Sequence, residues 1–121
     1  MNDAELRCTR ERLGLTTLWL AAHLDVAERT VHRWEHGHSA IPAGVAAAVL
    51  EIDRRTNAVV DERTRAAAAT RMIVTFRTDE DYHAANGPAG EWSASWDRAV
   101  AARVASVVDA GILYWPGDPL A

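Results

Sequence analysis

The sequence predicts a mainly α protein laid out in three stretches: a helical domain over residues 1–56, a connecting helix over 57–71, and a small α+β part over 72–121. Three observations predict this. Apolar residues keep a helical spacing through most of the first seventy positions, broken only by turn-length interruptions. Val45, Val49, Ile52, Thr56, Val59, Arg63 and Ala66 then continue that spacing with no Pro/Gly/Ser linker before Thr70. The best strand, the β-branched and aromatic run at residues 72–76, comes only after it.

Taken in order, Asn2 and Asp3 can cap a first helix over about residues 4–13, ended by Gly14. Leu6 and Leu13, with Cys8 or Thr9, turn toward the elements that follow. Those elements lie in LTTLWLAAHLDVAERTVHRWEHGHSAIP, residues 15–42, around which the chain is organised. Thr16 is a fitting N-cap, and Leu20 and Leu24 stand one turn apart. Asp25-Val26-Ala27 is a turn, with Asp tolerating the left-handed backbone a tight connection needs. A second helix runs over residues 28–36 and stops at Gly37. Val31 and Trp34 share one of its faces, while Glu28, Arg29, His32, Arg33 and His36 populate the other. Two short helices, the second apolar on one side and rich in hydrogen-bonding groups on the other, are what a helix-turn-helix requires. The alternative is an ordinary buried helical hairpin.

This stretch resembles the Cro/phage-repressor (XRE-type) family of helix-turn-helix regulators. The likeness rests on Leu20, Leu24, Val26, Val31 and Trp34, on small Ala21 where the helices cross, and on Arg33-Trp34-Glu35-x-Gly37. It departs at Asp25, where Gly is usual, and at Ala27, where Ser or Thr normally caps the recognition helix. The missing cap should cost on the order of 1 kcal/mol. The resemblance implies a five-helix lambda-repressor-like domain that binds double-stranded DNA. It further implies an Arg10–Glu35 ion pair between the first and third helices, which orients more than it stabilises.

After the loop at residues 38–41, Pro42 suits the first turn of the long helix, with a bend expected near Asn57. Beyond the strand, Thr78 caps a short helix with acids in its first turn, and residues 86–90 form the clearest loop. A last helix over about residues 93–110 carries the stripe Trp92, Trp96, Val100, Val104 and Val107; Gly111 ends it, and residues 112–115 form a terminal strand. The strand ending in Phe, the short acidic helix with a Tyr and the Trp opening a final helix resemble the carboxy-terminal part of small phage-encoded regulators, including anti-CRISPR-associated autorepressors. That resemblance implies a homodimer. Ile73, Val74, Phe76, Trp92, Trp96, Val100 and Val104 are the candidate interface, because so apolar a set exceeds what a fifty-residue part needs to bury alone.

Composition sets the outer limits. At 121 residues the chain can bury a real core, and no apolar run approaches membrane-spanning length. A single cysteine, Cys8, and no export-like amino terminus make the cytoplasm the simplest home, with no membrane partner. The net charge of −4 argues against a protein that coats nucleic acid but not against sequence-specific binding by a local basic face.

On that face Glu28, Arg29, His32 and Arg33 are the candidate base readers, Arg through guanine O6 and N7 and Glu28 through a cytosine amine. Thr16, Thr17, His36, His38 and Ser39 flank them as candidate phosphate contacts. His32, His36 and His38 also suggest a metal, but the usual thiolate partners are missing, so no metal and no cofactor are expected. No glycine-rich phosphate loop and no nucleophile with an obvious base are present, so no enzyme is expected. The combined expectation is a homodimeric DNA-binding transcriptional regulator, an autorepressor on an inverted-repeat operator in a phage or mobile-element context. One alternative is the DNA-binding antitoxin of a pair, whose second half binds a protein toxin. Another is an interaction module that has lost DNA binding.

Overall fold

In the computed structural model, which describes residues 1–117, the chain is mainly helical with a two-stranded parallel sheet. It divides into two compact units, Met1–Arg55 and the residues from Thr56 onward.

In the first unit, α1 (Asp3–Arg12) starts at a reciprocal cap: the Asn2 side chain accepts from Glu5 N, and the Glu5 carboxylate accepts from Asn2 N. The short helices α2 (Thr17–Leu24) and α3 (Glu28–Glu35) follow, and then the start of α4 (Ala43–Thr70). Leu6, Leu13, Leu20, Val31, Val49 and Ile52 are all but inaccessible and form the core, with Ala21 and Trp34 beside them. Cys8 is exposed and takes no part. The unit has four helical segments rather than the five expected, because everything after Pro42 is one uninterrupted helix that also runs on through Asn57.

Residues 57–70 belong to the second unit rather than to a separate connector. Thr56, Val60 and Ala67 are the buried positions of this part of α4, where Val59 and Ala66 were expected. The buried line steps by four and then by seven residues from Thr56, which holds one face, whereas the two steps of three in the expected run, to Val59 and to Ala66, drift away from it. β1 (Met72–Thr75), α5 (Asp79–Asn86), a 3-10 turn (Gly87–Ala89), α6 (Ala94–Ala105) and β2 (Gly111–Tyr114) complete the unit. β1 and β2 pair in parallel, Ile73 beside Ile112 and Thr75 beside Tyr114, with α5 and α6 in the crossover that parallel pairing demands.

Each helix start is capped by its own hydroxyl, Thr78 for α5 and Ser93 for α6. Trp92 stacks on Trp96 with ring centroids 4.5 Å apart, and Phe76 meets Tyr82 edge-on at 5.5 Å. The Tyr82 hydroxyl accepts from Trp92 N, and the Asp79 carboxylate accepts from Ala94 N, which ties α5 to the start of α6.

Asp97 lies at the centre of this unit, fully buried. Its two oxygens accept from Arg63 Nη1 at 2.9 Å and from the Thr75 hydroxyl at 2.7 Å. One carboxylate thus joins α4, α6 and β1. Beside it, Trp96 Nε1 donates to the Thr56 hydroxyl at 3.0 Å.

The apolar stripe of α6 ends earlier than expected. Val104 is inaccessible, but the helix stops at Ala105, leaving Val107 69% exposed, and Gly111 opens β2 instead of ending the helix. Six of the seven residues expected at a subunit interface, Ile73, Phe76, Trp92, Trp96, Val100 and Val104, are buried within the single chain. They form the unit's own core, and of the seven only Val74 faces outward. No helix of the described residues is long and apolar enough to cross a membrane.

Candidate functional site

The first unit brings α2, α3 and the loop after α3 into one polar face. α2 begins where the Thr16 hydroxyl accepts from Trp19 N at 3.0 Å. It ends at Asp25 in the left-handed region, φ 56°, and Val26 N donates back to Ala21 O, so the chain reverses within three residues. α3 then starts at Ala27, which supplies no side-chain cap. Ala27→Ser would add the missing acceptor and should stabilise the first unit by about 1 kcal/mol, read as a higher urea midpoint. An unchanged midpoint would mean that the first N–H groups of α3 already have adequate partners.

α3 is strongly two-sided. Val31 is inaccessible and Trp34 nearly so, while Glu28, Arg29, His32 and Arg33 are exposed on the other side. The helix is held from beneath by Arg10, whose Nε and Nη2 donate to the two Glu35 oxygens at 2.7 and 2.8 Å while Nη1 donates to Leu15 O. The Glu35 carboxylate, its strongest partner, pushes the Arg10 guanidinium's pKa further up. With its side chain only 3% exposed, Glu35 is charge-matched inside the unit and adds no charge to the outer face of α3. Gly37, φ 74°, closes the helix, and a Cβ there would come within 2.9 Å of the Asp3 carboxylate.

The exposed side chains are partly organised among themselves. Thr17 donates its hydroxyl proton to Glu28 Oε2 at 2.9 Å, so that proton does not serve a phosphate while the bond holds. The same bond leaves Glu28 Oε1 as an acceptor. Arg33 Nε donates to the Ser39 hydroxyl at 3.2 Å, which turns the two terminal nitrogens of the guanidinium outward and keeps the Ser39 proton for another acceptor. His36 Nδ1 donates to His32 O at 2.7 Å, and its ring stacks near-parallel to His38 at 6.3 Å.

The structure therefore gathers Glu28, Arg29, His32, Arg33, His36, His38 and Ser39 along one side, with Thr16 and Thr17 at the head of α2. Sequence reasoning passed over the stack of Trp19 on His23, centroids 4.9 Å apart; their i, i+4 spacing was the available signal. Among the described residues no three His, Cys, Asp or Glu side chains are placed to share a metal ion. Two guanidinium groups, several imidazoles and hydroxyl donors around one acceptor suit an anionic partner that also presents a pattern of donors and acceptors. No model of a known protein family matches the chain, and comparison with curated proteins gives no match either.

Proposed function

We propose that the protein is a sequence-specific DNA-binding transcriptional regulator of the helix-turn-helix kind. It acts as a homodimeric autorepressor on an inverted-repeat operator, in the phage or mobile-element setting that the resemblance implies. The observation that carries the reading is the two-sidedness of α3: Val31 and Trp34 anchor it, while Arg29, His32 and Arg33 point away together. A helix so anchored can enter a major groove without disturbing its support. Arg29 and the terminal nitrogens of Arg33 match guanine O6 and N7, and Glu28 Oε1 matches a cytosine amine. Thr16, His36, His38 and Ser39 flank the helix where phosphates would pass, and Thr17 is better described as orienting Glu28.

Selection of bound duplexes from a random DNA pool tests this. An enriched inverted repeat with half-site centres about 34 Å apart supports it, and a pool that stays random after several rounds refutes it.

A further inference from the structure

The two-stranded sheet of the second unit is unfinished. In a parallel pair the residues side by side point to the same face, so Ile112 and Tyr114 share the helix-covered side with buried Ile73 and Thr75. Yet Ile112 is 45% and Tyr114 36% exposed. α6 covers β1 and leaves a groove of about 310 Å³ under β2, lined by Thr75, Arg98, Ala101, Ile112, Leu113 and Tyr114. Among the described residues, the edge beside it is also open. Gly111 N donates to Arg71 O and Trp115 N to Thr75 O, so with a period of two Leu113 also faces β1. Ile112 and Tyr114 then turn their N–H and C=O groups to the free edge. Residues 111–115 carry no charge and no proline, the usual devices that keep an edge strand from pairing.

We infer that the occupant of this edge is a second copy of the chain, with β2 pairing antiparallel to the partner's β2 about a two-fold axis at Leu113. A two-fold contact brings a strand against itself antiparallel. With the axis at Leu113, Ile112 of each copy stands opposite Tyr114 of the other, and both pairs exchange both backbone bonds, four in all. An axis at Tyr114 would oppose Ile112 to Pro116, which has no N–H to give. The sheet becomes four-stranded, and the half-covered Ile112 and Tyr114 side chains fill the space between one α6 and the other. Ile112, Leu113, Tyr114 and Trp115 keep 36–46% of their surface exposed, an uncharged patch continuous with the groove beneath β2 that a second copy would cover. Stacking two sheets through their outer faces, where Met72, Val74 and Leu113 lie exposed, would leave both the edge and the groove open.

This contact supplies the homodimer that the proposed function calls for, and it stands or falls separately. Sedimentation of the full chain at high micromolar concentration should give twice 13.2 kDa. Ile112→Pro removes an edge N–H that β1 does not use, so it should halve the mass while far-UV circular dichroism stays the same. Val74→Glu should leave the dimer intact. In a Cys8→Ser background, Leu113→Cys should cross-link two copies with oxidised glutathione as oxidant, since non-hydrogen-bonded antiparallel neighbours lie within disulfide reach. This last arm decides the matter if the proline variant fails to fold. A monomeric wild type, a folded Ile112→Pro dimer, a dimer split by Val74→Glu, or a dimer that Leu113→Cys cannot cross-link each overturns the contact. A dimer that binds no DNA leaves the contact in place and defeats the functional reading. A monomer that binds its operator does the reverse.

Discussion

Asp97→Ala should destabilise the second unit by about 3–5 kcal/mol, enough to unfold a marginal unit of this size at ambient temperature. The carboxylate is inaccessible and its two partners come from different elements, Arg63 on α4 and Thr75 on β1. Truncation leaves a cavity, an unpaired guanidinium and an unpaired buried hydroxyl at once. Asp97→Asn keeps an acceptor for Thr75 but turns an amide NH2, which cannot accept, toward Arg63; that side chain is one-third exposed and can regain water, so the loss should be smaller, about 1–3 kcal/mol. Urea unfolding followed by tryptophan fluorescence reads this, because the Trp92–Trp96 stack lies next to the site. Equal midpoints for wild type and Asp97→Ala would show that the carboxylate is not what joins the three elements.

Asp97 also shows why part of the fold was not legible. On α6 it lies one turn from Ser93, Val100 and Ala101, all buried, so its position pointed inward. Residue type pointed the other way, since an aspartate is almost never fully buried unless paired, and its partners stand 34 and 22 residues away in the chain. The apolar stripe from Trp92 to Val104 misled in the opposite sense. Periodicity shows that a face is covered but not by what, and here the chain itself covers it. The surface left open lies on β2, too short a strand for its pattern to tell a covered face from an open one.

The first unit was more legible because its signals are local. The Thr16 cap, the left-handed Asp25, the uncapped Ala27 and the stop at Gly37 each depend on a few neighbouring residues, and each is found where the sequence pointed. The Arg10–Glu35 pair spans 25 residues, and it was expected from the family likeness rather than from any spacing. What the sequence could not supply on the outer face of α3 was side-chain direction. The Thr17–Glu28 and Arg33–Ser39 bonds depend on rotamers, and they determine which donors remain for a ligand.

Those bonds sharpen the specificity expected of the proposed DNA complex. Arg29→Ala and Arg33→Ala should each cost about 1–3 kcal/mol per half-site, hence about 2–6 kcal/mol for a dimer on its operator, and should relax preference at particular base pairs. Neither substitution should unfold the protein, since both side chains lie on the exposed face of α3, opposite Val31 and Trp34. Glu28 and Thr17 form a unit, so Thr17→Ala should act at the same base pair as Glu28→Ala rather than on all sequences alike. Ser39 sits between the two behaviours. Its oxygen steadies Arg33 and its proton is left for a phosphate, so Ser39→Ala should weaken every duplex and additionally blunt the Arg33 preference. Anisotropy titrations of each variant on operator and on scrambled DNA separate these roles, because a base reader loses affinity on the operator alone. Equal losses on both duplexes for Arg29 and Arg33 would make them phosphate clamps, and the burden of base reading would pass to His32 and to the Glu28 oxygen that Thr17 leaves free.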